Sequence, residues 1–354
     1  MTQGSFAARV IAWHKRHGRH DLPWQRTNAV AADAYAIWLS EIMLQQTQVT
    51  TVIPYYEKFL KKFPAVEALA AAPLDAVLAL WSGLGYYSRA RNLHKAAQCI
   101  VAHHEGRMPD DPALVEALPG IGRSTAAAIC VFAYGGRHAI LDGNVKRVLA
   151  RYCGVHGFPG QAKVHEMLWG KAEALLPTGN NKNKTARDIV AYTQGLMDLG
   201  AGVCARSKPQ CALCPLNADC VAHLRGLTDT LPTPKPRKAS PQRATVMLLM
   251  RSASEILLEK RVASGIWGGL WSLPEVSGVH EITAAAKRYG VRVLARATLP
   301  AIAHGFTHFK LDIEPLLLEV KKSTRSVPGV MWLPVADALT AGIPTPVRKI
   351  LLSI

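Results

Sequence analysis

Apolar residues recur at three- and four-residue spacing from the start of the chain to about Leu224, in alanine-rich segments with few alternations, and this period predicts helices. Pro64–Leu80 and Lys163–Leu176 read as amphipathic helices. Pro73, Pro112 and Pro177 fall where helices should begin or end, since proline lacks the N–H that a helix interior needs. The stretch TLPTPKPRKASPQR, from Thr230 to Arg243, breaks the pattern. Its alternating prolines, with four basic residues and no acid, describe a semi-rigid extended linker. Beyond it the period shortens. Thr245–Met250 and Glu255–Lys260 read as strands around a turn, Ala284–Tyr289 as a helix and Leu311–Val320 as another strand. The predicted organisation is an all-α domain over residues 1–225, a basic proline-rich linker over 226–242, and a smaller α+β domain over 243–354. No internal repeat is evident.

A length of 354 residues suits two such domains, and 49% hydrophobic with 19% charged residues is a globular composition. No apolar run reaches the ~18 residues of a membrane span. The opening MTQGSFAARVIAW carries an arginine inside its apolar stretch and no cleavage-like site, so no secretory signal is expected. The expected location is the cytoplasm, nucleoid-associated if the source is bacterial. A net charge of +17 favours a polyanionic partner, because Lys and Arg that replace counterions on phosphates gain their release. Charge alone leaves open a basic protein that binds no nucleic acid.

Four of the seven cysteines crowd into Cys204, Cys211, Cys214 and Cys220, with the spacing C-x6-C-x2-C-x5-C. A disulfide framework would spread them. Four thiolates this close can wrap a tetrahedral zinc or a [4Fe–4S] cluster, and spacing alone leaves both open. Cys99, Cys130 and Cys153 sit in apolar helical surroundings as small core residues. LPGIGRSTAAAICVFAY, Leu118 to Tyr134, places Gly120 and Gly122 around Ile121 ahead of a helix. Such glycines let the backbone turn sharply and approach a phosphate, which the N–H groups of the helix start can then bind. In LDGNVKRVLAR, Asp142 precedes a helix over Val145–Arg151, where a carboxylate is ordinarily an N-cap. A third segment, SEIMLQQTQV from Ser40 to Val49, carries a single acid, Glu41. Ile37, Trp38, Leu39, Ile42, Met43 and Leu44 surround it, a setting that raises a carboxyl pKa.

The cysteine spacing resembles the iron–sulfur loop of the endonuclease III superfamily of DNA glycosylases, and the hairpin with its following aspartate resembles their helix–hairpin–helix and catalytic Asp. Taken with LPWQ and GLGYYSRARNL, these motifs resemble the MutY family of adenine DNA glycosylases across nearly the whole N-terminal domain. The resemblance implies removal of adenine mispaired with 8-oxoguanine or guanine in double-stranded DNA, by a monomer with a [4Fe–4S] cluster on the four cysteines. Glu41 would protonate the leaving base and Asp142 would stay ionised beside the sugar, with Asn144 in support. The logic is that of paired carboxyls in glycoside hydrolysis. Leu22, Trp24, Gln25 and Gln194 match the adenine pocket, and Gln46 and Tyr86 match residues that enter the base stack. Thr47, Gly120, Gly122, Arg123, Lys146, Arg206 and Lys208 are further expected DNA contacts. Where the related lyases carry a nucleophilic lysine, GIGRST has Ser124. An alcohol forms no Schiff base, so the resemblance implies a monofunctional enzyme that leaves an abasic site.

In the C-terminal domain, GLWSLPE from Gly269 to Glu275 fits the opening of a Nudix box, and Gly290 fits its close. The carboxylate stretch between them is TAAAKR, Thr283 to Arg288, which lacks the oxygens that hard-metal chemistry needs. A Nudix-like fold reused for recognition is expected. HGFTHFKLDI resembles the family's loop that touches the damaged guanine, here with Phe306, Thr307 and His308. The rival readings are a pyrimidine-damage glycosylase/lyase, a non-catalytic DNA-binding or redox-sensing protein, and a Nudix hydrolase.

Overall fold

The computed structural model describes residues 4–25, 33–178, 182–236, 240–324 and 326–354, so part of the expected linker, 237–239, lies outside the described residues. The chain divides into two compact units: Met1–Ala70 with Lys95–Arg237, and Ala71–His94 with Lys238–Ile354.

The first unit is helical. Its helices include Phe6–His17, Ala34–Leu44, Val49–Lys62, Arg123–Tyr134, Gly143–Tyr152, Ala162–Ala174 and Lys182–Asp198. Val10, Val131, Val145, Leu149, Leu168, Ile189 and Leu199 are core residues here, drawn from five of these helices and the turn after the last. The Ala34–Leu44 helix begins at Asp33, whose carboxylate accepts hydrogen bonds from the N–H groups of Tyr35 and Ala36 at 3.0 and 3.2 Å. It buries Ile37, Trp38, Leu39, Ile42 and Met43, so it is apolar around most of its girth, as an interior helix must be. A lone acid on such a helix is held away from bulk water.

The single helix expected over Pro64–Leu80 is two, Val66–Ala71 and Leu74–Trp81, with Pro73 as the cap of the second. Proline breaks the ladder of hydrogen bonds there although the apolar spacing continues through it. Lys163–Leu176 is realised as Ala162–Ala174, ending short of Pro177.

The second unit carries a mixed sheet of β1 (Gln242–Ser252), β2 (Glu255–Lys260), β3 (Trp271–Ser272), β4 (Glu275–Val276), β5 (Val291–Thr298), β6 (Ile302–Gly305), β7 (Lys310–Lys322) and β8 (Val330–Pro334). The central order is β3-β2-β1-β7-β5, with β1 and β7 parallel and the other pairings antiparallel. Residues 246–250 of β1, Val-Met-Leu-Leu-Met, are all buried, which gives the continuous apolar run of a strand covered on both faces. On one face Val246, Leu248 and Met250 pack with Leu316 and Leu318 of β7 and with Ile282, Ala285 and Tyr289, from the Ile282–Arg288 helix and its C-cap. The architecture is a helical unit and a unit built on a mixed sheet. Among the described residues no helix is long and apolar enough to cross a membrane.

Candidate functional site

The first unit brings the two singled-out carboxyls to one hollow. Glu41 comes from the Ala34–Leu44 helix and Asp142 from the N-cap of Gly143–Tyr152. With Gln46, Thr47, Ser124 and Asn144 they line a cavity of about 600 Å³. Asp142 Oδ1 accepts the Val145 N–H at 2.7 Å, so capping fixes the carboxylate in place. Ser124 Oγ accepts the Leu141 N–H at 2.9 Å, beside it.

Burial raises the pKa of both acids, but the opposing influences differ. At Glu41 burial comes first and the charge of Asp142 adds to it, pushing the carboxyl up to about 8. At Asp142 burial is countered by the N–H groups of Val145 and Asn144 and by the charges of Arg147 and Lys146. One carboxyl is therefore set up to keep its proton near neutrality, while the other has donors and cations arranged for its ionised form. Lys146 is half-buried on the same helix, and burial lowers its pKa against the pull of Asp142.

A second cavity, of about 290 Å³, is lined by His14, His20, Trp24, Gln25, Ser40, Glu41, Phe132 and Gln194, among others. Glu41 thus stands on the walls of both hollows. Trp24 packs edge-on to Tyr56, with centroids 5.3 Å apart. The Gln25 amide braces its own turn, accepting from the Leu22 N–H at 3.2 Å and donating to the Arg19 carbonyl at 3.2 Å. Leu22 is buried beside this turn and is not one of the lining residues. Gln194 Nε2 donates to Asp198 Oδ1 at 2.9 Å, and the same carboxylate takes three donations from Arg19. Asp198, 6% exposed, organises both the pocket amide and an arginine of the larger hollow.

Several exposed residues have unusual backbones. Gln46, Tyr86 and Lys208 are left-handed, with φ of 56°, 49° and 50°. Non-glycine residues rarely adopt this region, and bulky ones least. Tyr86 is also 43% exposed, on a loop of the second unit. In the hairpin, Gly120 has φ +80° while Gly122 is extended at −107° and caps Arg123–Tyr134 without a side-chain bond. A Cβ at Gly122 would meet nothing within 4 Å, so the hairpin is open at this position. Arg123 pairs with Glu173 at 2.6 Å and lies 4.0 Å over the Trp169 ring. Thr47 Oγ1 donates to the Gln45 carbonyl at 3.3 Å.

Cys204, Cys211, Cys214 and Cys220 all line one further hollow. The donor set is four soft sulfurs, which suits iron–sulfur chemistry or zinc. Burial, with the charges of the other three cysteines adding to it, pushes the Cys214 thiol up to about 11, so four thiolates would repel one another without a cationic core between them. Arg151, 3% exposed, reaches the loop with Nη1 3.3 Å from Cys204 Sγ and 2.7 Å from the Ala205 carbonyl. Arg147 donates to the Cys204 carbonyl at 2.7 Å and to Asn144 Oδ1 at 2.8 Å. The helix that Asp142 caps is therefore tied to the cysteine loop. Arg206 and Lys208 are exposed on that loop. Among the described residues no three His, Cys, Asp or Glu side chains converge as a single metal ion requires.

In the second unit Phe306, Thr307 and His308 form a turn after β6, closed by the Phe306 N–H on the Phe309 carbonyl at 2.9 Å. Phe306 stacks on Phe309 with centroids 4.5 Å apart and meets His304 edge-on at 4.7 Å. Thr307 and His308 are exposed beside this aromatic cluster, Thr307 Oγ1 lying 3.3 Å from His308 Nδ1. In the Nudix-box frame, Glu275 pairs with Arg261 at 2.9 Å, and Arg288 lies 3.5 Å from Glu259. The acids near the former metal stretch face cations of the chain itself.

Sequence reasoning missed His14, His20, Ser40 and Phe132 as pocket walls, and Arg19, Asp198, Arg147 and Arg151 as supports. His14 and His20 lie ahead of the LPWQ segment, Ser40 adjoins Glu41, and Arg147 and Arg151 stand in LDGNVKRVLAR with Asp142, which are local hints. Arg19 and Asp198 meet only through the fold.

A family described as HhH-GPD superfamily base excision DNA repair protein matches residues 39–174, and a NUDIX domain matches 245–353. The chain is 36% identical to an adenine DNA glycosylase of Buchnera aphidicola subsp. Acyrthosiphon pisum, over 99% of this chain and 98% of the relative. It is 34% identical to the adenine DNA glycosylase of Homo sapiens, covering 98% of this chain and 73% of the human one. A thermostable thymine-DNA glycosylase superposes with a TM-score of 0.54 at 31% identity, over 62% of this chain and 95% of that one. An endonuclease III in a non-covalent DNA complex shares the fold, with a TM-score of 0.50 at 19% identity, over 62% of this chain and 94% of that one. With likeness of this extent over its full length, and both domains in order, the chain belongs to the adenine DNA glycosylase family and is a DNA N-glycosylase.

Proposed function

We propose that this enzyme flips adenine out of duplex DNA where it faces 8-oxoguanine or guanine, and hydrolyses its glycosidic bond to leave an abasic site. The observation that carries the reading is the position of Glu41, on the wall shared by the amide-lined pocket and the hollow of Asp142. A base in the pocket and its sugar in the hollow would meet one carboxyl each. Adenine leaves poorly unless a ring nitrogen is protonated, and Glu41, still protonated near neutrality, supplies that proton. The sugar develops positive charge as the bond stretches, and ionised Asp142, fixed by its cap, stabilises it. Gln194 and Trp24 hold the base by an amide edge and an aromatic face, and Gln25 keeps the pocket turn in shape.

Ser124 beside Asp142 forms no Schiff base, so water attacks the sugar and the strand is left intact. Lys146 is near enough in sequence for weak, occasional trapping of the abasic aldehyde.

Gln46 and Tyr86 fill the stack when the adenine leaves it; both are exposed, with backbones already held in a costly conformation. The open N-terminus behind Gly122 takes a phosphate, and Arg206 and Lys208 follow the backbone. The turn at Phe306, Thr307 and His308 reads the oxidised guanine. The four cysteines would hold a [4Fe–4S] cluster, whose cationic core would offset the repulsion among their thiolates. The working enzyme is a monomer.

A single-turnover assay on duplexes with A opposite 8-oxoguanine and A opposite guanine tests the reading. Adenine release without strand cleavage is expected on both, faster on the first. Absence of adenine release would overturn it.

A further inference from the structure

The loop that carries Tyr86 is fastened to the sheet-bearing part of its own compact unit. Ser82 Oγ and Tyr87 Oη both donate to the Ile343 carbonyl, at 3.0 and 3.3 Å, and Arg348 Nη2 donates to Ser82 Oγ at 3.2 Å. Past the loop, Arg91 Nη1 donates to the Gly268 carbonyl at 2.6 Å. Inside it, Trp81 Nε1 and Arg89 Nη2 each donate to the Gly85 carbonyl at 3.1 Å, and the Arg89 guanidinium lies 5.5 Å from the Tyr86 ring centre.

Gly268 follows Trp267, and Trp267 touches the aromatic turn. Its ring centroid lies 5.8 Å from that of His304 and 5.5 Å from that of Phe306. Trp267 is 7% exposed yet left-handed, with φ 56°, so its packing overrides a backbone preference. Gly268 admits no side chain: a Cβ there would lie 2.4 Å from the Ala263 carbonyl oxygen. A Cβ at Gly269 would touch the side chains of Leu78 and Arg91 at 3.6 and 3.9 Å. Three consecutive residues thus have the aromatic turn on one side, at Trp267, and the root of the Tyr86 loop on the other, at the Gly268 carbonyl that Arg91 holds.

We propose that Arg91 and Trp267 are positioning residues that couple the turn at Phe306 to the Tyr86 loop, so that the base met by the turn sets how firmly Tyr86 is presented to the DNA stack. This rests on the reading above, in which the turn recognises the oxidised guanine and Tyr86 enters the stack. Direct contacts through a close-packed segment carry such coupling only if both ends bias the same element, and a double-mutant cycle measures that.

The test compares single-turnover excision from A:8-oxoguanine and A:guanine duplexes for the wild type, Arg91→Met, Phe306→Ala and the double variant, with thermal melting alongside. Each single change is expected to lower the ratio of the two rates by about tenfold, and the double change to lower it no further. Arg91→Lys keeps a donor able to reach the Gly268 carbonyl and should recover most of the ratio. An unchanged ratio in Arg91→Met, losses that multiply in the double variant, or equal losses on both duplexes would overturn the coupling. A wild-type ratio of one would instead strike at the reading of the opposite base, and take the coupling with it.

Discussion

Glu41 and Asp142 face one hollow from two different helices, and only Asp142 has backbone N–H groups and cations arranged to favour its charge. Two identical functional groups are thereby given opposite tasks. Glu41→Gln and Asp142→Asn keep shape and remove one task each. Each is expected to slow adenine release by at least ~10²-fold in a single-turnover assay. Binding of the mispaired duplex, followed by gel shift, should survive both. Near wild-type release in either variant would sink the assignment.

Glu41 also predicts a pH dependence with a definite sign. Its folded-state pKa, about 8, lies above its ordinary value of 4.5. The proton is held more tightly by the native protein, so this group's contribution to stability is complete below the ordinary value and disappears as pH rises through about 8. Excision should fall over the upper part of the same interval. Glu41→Gln has no proton to lose, so its melting temperature relative to wild type should rise between about pH 5 and about pH 9. A constant difference across that range would count against the buried acid.

Ser124 lines the hollow of Asp142, in which the proposed reaction places the sugar. Ser124→Lys is expected to form a covalent complex with DNA on borohydride reduction, at least ~10-fold more than wild type, and to nick the strand. Lys146→Ala should remove whatever trapping the wild type shows. Equal trapping in wild type and Ser124→Lys would mean that another amine is the nucleophile.

The two hairpin glycines should behave differently. Gly120 has φ +80°, so Gly120→Ala strains the turn and is expected to cost about 1 kcal/mol of stability. Gly122 has an ordinary backbone and open space around it. Gly122→Ala should melt like wild type yet bind duplex DNA several-fold more weakly, because the added methyl stands where a phosphate would approach. A Gly122→Ala protein with undiminished affinity would move the phosphate site elsewhere.

For the cysteine loop, purified protein is expected to contain iron and acid-labile sulfide in equal amounts and to absorb broadly in the visible. Cys214→Ser should lose both signals and lower the melting temperature. Arg147 and Arg151 bind the loop to the helix that Asp142 caps, so adenine release should fall as well. Zinc in place of iron would refute the cluster.

Much of this was legible in the residues because the decisive patterns are local. Glu255–Lys260 forms as the strand it reads as, and Thr245–Met250 lies within a β1 extended at both ends by pairing with β7. Asp142 reads as a cap and is one. The two helices within Pro64–Leu80 show where one local signal overrides another: apolar spacing runs on through Pro73, but the backbone cannot. What was not legible depends on distant segments. Asp198 looks like a helix-end acid one turn after Gln194, and only the fold places it against Arg19. Trp267 reads as an ordinary apolar residue of a loop, and nothing nearby in sequence announces its contact with Phe306.

The left-handed backbones at Gln46, Tyr86 and Lys208 bear on how this enzyme would respond to selection for heat resistance. Glycine or asparagine at any of the three would relax the chain and raise the melting point, while discarding the side chain proposed to meet DNA. A screen that rewards survival on heating would collect robust, inert proteins from those three codons. The same screen run for repair in living cells should leave them alone.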